Sequence, residues 1–433
     1  MKKTHVGLWA IVASLAAWTG VKAQADDLAG RVEAAVTARA GEFIALRRDL
    51  HRHPEVSGAE VRTAGIVAER LRAFGLDVRT GVGGHGVVGL LRGGRPGPLV
   101  AYRADMDAVS SHDPDPVPFA SEVPGVRHQC GHDVHVAVGL AVAAALSSVR
   151  DSLPGSVLFV FQPDEEWAAG ARAMLAAGVF AAGKPVAIYG VHASPYEVGQ
   201  IATRPGVMMA ARDRVRVSVS GEGDTAAALD QARGVVQGIS TIGPAQALQP
   251  QPEGFALVQI DPVPPGATTI QGSISLAGRE ARDRARAALA SGLSAIRVPG
   301  VTVTYDYTEK AVAGVTNDAE LTAAATAALV RTFGEAAVPR IQNIIPAFSE
   351  DFGSFQDEVP GVFFFLGVSN SAKGVVGMPH SPGFAADEDA IAFGARAMAT
   401  VLLDRLAQRS RPRLNQMSRA SVLPRRTRVG GSQ

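Results

Sequence analysis

A single cysteine, Cys130, occurs in 433 residues, so no disulfide can close within this chain. Neither sign of charge is in excess: 42 Lys and Arg stand against 41 Asp and Glu, which argues against a global electrostatic mode of binding nucleic acid or an anionic membrane. Beyond the first 25 residues there is no apolar run of membrane-spanning length, and stable membrane insertion is not expected. No internal repeat is present, which excludes a solenoid. What remains, 47% hydrophobic and 19% charged residues, describes a packed globular protein, and 433 residues are too many for one ordinary core. The lone thiol lies between Gln129 and Gly131, in a loop shared with His128, His132 and His135. That setting points to a metal ligand, since a structural cysteine more often sits inside an apolar run.

The two ends read as processing and tail segments. Lys2 and Lys3 precede an apolar stretch from Val6 to Val21, and Ala23 and Ala25 offer an A-x-A-like cleavage site. Residues 1–25 are therefore expected to be a cleavable signal peptide, with the mature protein periplasmic or secreted. Residues 409–433 carry Arg411, Arg413, Arg419, Arg425, Arg426 and Arg428 among polar residues and are expected to be a disordered basic tail.

Between these ends the first half alternates helical and apolar extended segments. Ser57 is placed to cap a helix through Val61, Ile66, Val67 and Leu71, which Gly75 stops. Apolar runs at Val87–Leu91, Leu99–Tyr102, Val157–Phe161 and Val186–Val191 are separated by helical patterns at Val134–Leu146 and Ala168–Ala177. Such strands imply an α/β domain with a mostly parallel sheet covered on both faces. Asp105 with Asp107, Asp164 to Glu166, and His192 each follow a strand, where open α/β sheets carry their sites. From Arg214 to Ser220, Val215, Val217 and Val219 alternate with polar residues, as in a strand with one wet face. A helix capped by Asp224 and running to about Ile242 follows, then strands at Ala256–Ile260 and Thr268–Leu276, a helix at Arg279–Leu293 and a strand at Val301–Tyr307. This β-α-β-β-α-β order is the ferredoxin-like unit. The expected organisation is a catalytic domain in two parts, 26–212 and 311–408, with an α+β lid inserted at 213–310.

Thiolate, imidazole and carboxylate are the donors that zinc-like divalent cations take. Here they fall in four places: Cys130 and His132; Glu165 and Glu166 in FQPDEE; His192 in GVHASP; and His380 in MPHSPGF. Adjacent glutamates divide the work well, one binding a metal while its neighbour accepts a proton from water. A cysteine hydrolase with Cys130 as nucleophile would leave the glutamate pair and His380 without a role.

The segments RRDLHRHPE (Arg47 to Glu55), YRADMDA (Tyr102 to Ala108), HQCGHDVH (His128 to His135), FQPDEE (Phe161 to Glu166), SEDF (Ser349 to Phe352), VPGVFFFLG (Val359 to Gly367), HSPGF and DEDA resemble, in order, the signature blocks of one group. That group is the metal-dependent amidohydrolases and peptidases that include hippurate hydrolases, indoleacetyl-amino-acid hydrolases and bacterial aminoacylases. The resemblance implies a site for two divalent metal ions, zinc, manganese or cobalt, held by Cys130, His132, Glu166, His192 and His380, with Glu165 as general base. It further implies that Asp105 and Asp107, together with Asp133, His135 and Asp351, stand behind the ligands and orient their imidazoles. The implied reaction is hydrolysis of the amide bond of an N-acyl amino acid or short peptide. Ferredoxin-like insertions in that group often pair, which implies a homodimer through the lid.

The lid departs from the group's pattern. The usual GKGGH is GEGDTAA here, which puts Glu222 at the lysine and Thr225 at the histidine; Pro262 takes the place of an asparagine and Ser275 that of an arginine. Loss of an oxyanion donor costs on the order of 10² to 10³ in rate. The alternative expectation is therefore a metal-binding pseudoenzyme or ligand-binding protein that no longer turns over. The complete ligand set and Glu165 favour the hydrolase.

Overall fold

The computed structural model describes residues 6–408, with side chains from Asp27 onward. The expected tail at 409–433 lies outside the described residues, as do the first five residues of the expected signal peptide. Among the described residues no helix is long and apolar enough to cross a membrane.

The chain opens with α1 (Val6–Arg52) and α2 (Val61–Ala73). Strands β1 (Asp77–Thr80), β2 (Val87–Arg92) and β3 (Arg95–Asp105) follow, then α3 (His132–Ser148), β4 (Pro154–Gln162), β5 (Ile188–Glu197) and β6 (Ile201–Ala202). The lid comprises β7 (Ala211–Gly221), α4 (Thr225–Gln237), β8 (Ala256–Ile260), β9 (Thr269–Leu276), α5 (Arg279–Ala295) and β10 (Val301–Val312). Helix α6 (Ala319–Phe333), β11 (Gly361–Ser369) and α7 (Asp389–Gln408) complete the chain.

The seven-stranded sheet has the order β1-β2-β4-β3-β5-β11-β6. Its four central strands are mutually parallel; β2 and β6 run antiparallel to them, and β1 pairs antiparallel with β2 at the edge. The central strands are apolar because helices cover both faces: Val157 to Phe161 and Ala101 to Ala104 are fully buried. Helix α3 is buried on every side from His132 to Leu146, as a helix apolar all round must be, and packs with α1 and α7 in one core. The lid sheet has the order β8-β9-β7-β10, all antiparallel, and packs α4 and α5 on one face through Val215, Val217, Val219, Leu229 and Leu289. The chain enters the lid through Gly206–Met209 and leaves through Val315–Asn317, and these two segments pair antiparallel, so the two crossings brace each other.

Local differences from the sequence reading have physical causes. Ser57 does not cap α2, which starts after Glu60 with no side-chain cap; the Ser57 hydroxyl donates to Asp107 instead, at 2.6 Å. Asp224 does cap α4, accepting from the Ala227 amide at 2.9 Å, but that helix stops at Gln237, short of Ile242.

Candidate metal centre

The donors converge at the carboxyl end of the parallel strands. Cys130 ends a loop, Gly131 turns it at φ +93° and His132 begins α3. A side chain at 131 would meet Ala193 at 2.9 Å, so glycine is required both by the left-handed backbone and by the close approach of β5. Glu165 and Glu166 follow β4, His192 lies in β5, and His380 sits in the loop after β11 with φ +59°. Cys130 Sγ is 3.2 Å from His192 Nε2; Glu166 Oε1 is 3.5 Å from His380 Nε2 and 3.8 Å from His132 Nε2; Glu165 Oε2 is 3.9 Å from His132 Nε2. All five expected ligands and the expected base thus share one site.

The residues fit a pair of divalent cations. Ligands about 2.0–2.3 Å from a tetrahedral ion lie roughly 3.3–3.8 Å from each other, close to the 3.2–3.9 Å spacings found here. Among the described residues His132 Nε2 and Glu166 Oε1 are buried without any hydrogen-bond partner, although both face the cluster. Burial, reinforced by Glu166 and Glu165, pushes the Cys130 thiol well above its usual range, and burial with Glu350, Glu166 and Asp351 does the same to Glu165. Crowded donors that resist ionisation in the bare protein are what a cation would relieve.

Neighbouring groups fix the imidazoles. Asp107 bonds His132 Nδ1 at 3.2 Å, which turns Nε2 to the centre; Asp107 is held by Ser57 and by the Glu166 amide at 3.0 Å. His192 Nδ1 donates to the Ala193 carbonyl at 2.7 Å, which likewise leaves Nε2 facing Cys130. Burial opposes a charge on His132, yet Asp105 and Asp107 push its pKa up to about 10; burial and His135 hold His192 well below its ordinary value. Asp105 bonds His135 Nδ1 at 2.5 Å, and His135 Nε2 accepts from the Ala193 amide at 2.7 Å. With both nitrogens engaged, His135 braces β5 beside His192.

Of the five expected orienting residues only Asp107 bonds a ligand imidazole: Asp105 and His135 bond each other, and Asp133 and Asp351 act on groups further off. Asp133 touches no ligand imidazole: it accepts from Arg47 Nε at 2.7 Å and from His51 Nδ1 at 2.8 Å. Burial would raise the Asp133 carboxyl, but Arg47 and His51 overcome it and hold the group well below the carboxylate range. Asp351 accepts from Gln162 Nε2 at 2.7 Å, the Ala171 amide at 3.0 Å and Arg103 Nη2 at 3.2 Å. Arg103 is the hub: wholly buried, it also reaches Gln162, Asp105 and Glu350. Glu350 is a residue that sequence reasoning passed over. Its carboxyl lies in one cluster with those of Glu165 and Asp351.

The metal centre floors an open cleft of about 850 Å³ between the sheet and the lid. Trp167, Tyr196, Met208, Met209, Phe348 and Phe365 supply apolar wall, and Arg212, Arg214 and Arg340 line it as well. Glu222, Thr225, Pro262 and Ser275, the altered lid positions, are not among its lining residues. The arginines were passed over because alternation along β7 marks Arg214 only as solvent-facing, with nothing local to say what it faces.

Comparison with known proteins agrees with this centre. The family model for peptidase family M20/M25/M40 matches residues 101–404. Thermostable carboxypeptidase 2 of Saccharolobus solfataricus is 34% identical over 383 residues, which span 83% of this chain and 94% of that protein. N-acetylcysteine deacetylase of Bacillus subtilis is 31% identical over 386 residues, 82% of this chain and 95% of that one. Among solved structures, the YXEP protein of Bacillus subtilis, described as a dinuclear metal binding peptidase from the M20 family, superposes with a TM-score of 0.71 at 29% identity, covering 86% of this chain and 99% of that one. With its donors gathered at the carboxyl end of a mostly parallel sheet and a family match across both parts of that sheet, this chain belongs to peptidase family M20/M25/M40.

Proposed function

We propose that this metal-dependent amide hydrolase cleaves N-acyl amino acids or short peptides, with Glu165 as general base and Cys130, His132, Glu166, His192 and His380 holding two divalent cations. The observation that carries the reading is the pair of buried, unpartnered atoms, His132 Nε2 and Glu166 Oε1, facing a cluster of further donors. Cations bound there would polarise the scissile carbonyl and acidify the attacking water. Glu165, only 8% exposed at the cleft floor, accepts the water proton and passes it to the leaving amine. Asp107 and the Ala193 carbonyl keep His132 and His192 in the tautomers that present Nε2. The turnover-less alternative loses its ground, since neither a ligand nor the base is missing.

Chelation tests the reading. Protein dialysed against a chelator should lose hydrolysis of a panel of N-acyl amino acids and dipeptides and recover it with zinc, manganese or cobalt. Protein that holds no divalent metal as purified and hydrolyses nothing on the panel would sink it.

We further propose export with cleavage after Ala25. Among the residues with described side chains, Leu28 is the first to pack on the core, so this cut removes none of them from it. N-terminal sequencing of protein from the extracytoplasmic fraction should start at Asp26; an intact Met1 would overturn the proposal. Pairing through the lid is likewise our proposal, and a monomer in sedimentation equilibrium would refute it.

A further inference from the structure

We infer that Arg127 and Gln129 are positioning residues for the ligand His380, and that one of the two proposed cations depends on them while the other does not. The inference rests on the ligand assignment made above.

The imidazoles of the centre are not held alike. The ring of His132 is fixed by Asp107 and that of His192 by the Ala193 carbonyl, and both side chains are buried. The His380 side chain is 53% exposed; its Nε2 faces Glu166 Oε1 at 3.5 Å, and no orienting partner stands behind its ring among the described residues. Its place is therefore set through the backbone, which turns left-handed there, at φ +59°. A residue with a side chain keeps that conformation only where its surroundings impose it.

The surroundings come from the chain just before Cys130. The Gln129 carbonyl accepts from the His380 amide at 3.0 Å, and Gln129 Nε2 donates to the Ser381 carbonyl at 2.8 Å. The second N–H of that nitrogen goes to Asp113 Oδ2 at 2.7 Å, so two oxygens fix which end of the side-chain amide faces the loop. Arg127 extends the grip. Its Nη1 donates to the Pro382 carbonyl at 3.1 Å and to the Pro114 carbonyl at 2.9 Å, and its Nη2 donates to the Phe384 carbonyl. Asp115 Oδ1, 3.4 Å from Nε, anchors the guanidinium from the other side. A planar fork of several donors lets one side chain hold carbonyls two residues apart. Both Arg127 and Gln129 are buried, and the Phe384 ring closes the loop against Gly131, the turn between Cys130 and His132.

The consequence for the two cations is unequal. Cys130, Glu166 and His380 form one group of donors that opens toward solvent, whereas Cys130, His132 and His192 form another that is wholly buried. Loosening the clasp frees His380 but leaves His132 and His192 with their own partners. The cation taken by the first group is the one that weakens.

Zinc titration of metal-stripped protein, followed by calorimetry, tests this with the parent, Gln129→Leu, His380→Ala and the double variant. Gln129 is the position to change, because removing the enclosed Arg127 guanidinium would threaten the fold itself. Leucine keeps the bulk and the backbone carbonyl and removes both N–H donors. The parent should take up two zinc ions. Gln129→Leu should weaken one of them by about 10- to 100-fold and leave the other nearly unchanged. His380→Ala should weaken the same ion, and adding Gln129→Leu to it should change nothing further, since a residue that acts through His380 then has nothing to act on. Two unchanged ions in Gln129→Leu, equal weakening of both, or a further loss in the double variant overturns the inference. A parent that takes up fewer than two ions, or full affinity for both in His380→Ala, would refute the metal assignment itself, and the inference would fall with it.

Discussion

Glu165→Gln is expected to lower kcat by about 10² to 10⁴ while the metal content stays unchanged. Glutamine keeps the shape and the acceptor oxygen of Glu165 but cannot take a proton, so the substitution separates the base from the scaffold. The side chain is nearly enclosed at the cleft floor, 3.9 Å from His132 Nε2, and its charge is opposed by burial, Glu350, Glu166 and Asp351, with Arg103 pulling the other way. A carboxyl driven upward from its ordinary value is a stronger base than a solvated one, and the positive charge of cations held by Cys130, His132, Glu166, His192 and His380 would keep it ionised enough to act. Glu166→Gln should behave differently, reducing metal occupancy, since Oε1 has no hydrogen-bond partner among the described residues. Turnover within tenfold of the parent after Glu165→Gln, measured on metal-replete enzyme, would remove Glu165 from the base role.

Arg103→Leu should destabilise the protein by about 3–5 kcal/mol, the cost of leaving buried charge without its partner. The guanidinium is fully enclosed, and it reaches Asp105 at 2.7 Å, Gln162 at 2.8 Å and Glu350 at 2.9 Å, with Asp351 at 3.2 Å. Leucine offers no donor to replace these contacts. Urea unfolding of the two proteins measures the loss, and a difference below about 1 kcal/mol would show that the carboxyls rearrange or take up protons without cost. Glu350→Gln is the gentler companion. Removing the carboxyl that, after burial, does most to raise Glu165 should lower the pKa of the base, so the acidic limb of the rate–pH profile should move to lower pH. An unmoved limb would mean that Glu350 does not act on Glu165.

Much of the centre was legible because metal chemistry restricts donor types. A lone cysteine one residue from a histidine, an adjacent glutamate pair after an apolar strand, and histidines in two more loops have few other joint uses. The strands themselves were legible from apolar runs, and the lid from its change to alternation at β7. Asp133 was misread for a geometric reason. It follows a ligand directly, but one residue along a helix turns the side chain by about 100°, away from the centre and onto Arg47 and His51. In SEDF, Glu350 and Asp351 could not be told apart by pattern, because both are claimed by one guanidinium that arrives from strand β3. Ser57 failed as a cap for a similar reason, its hydroxyl being drawn to Asp107 some fifty residues away.

The sequence by itself determined the kinds of donor, their order and the two architectures that carry them, because composition, strand periodicity and turn chemistry act over a few residues. Tertiary structure alone decided which carboxyl meets which cation, which imidazole nitrogen faces the centre, and that Arg212 stands across from Ser275 at the wall of the cleft. Those outcomes depend on the register between strands and on side chains brought together from distant parts of the chain, and local propensity carries no record of either.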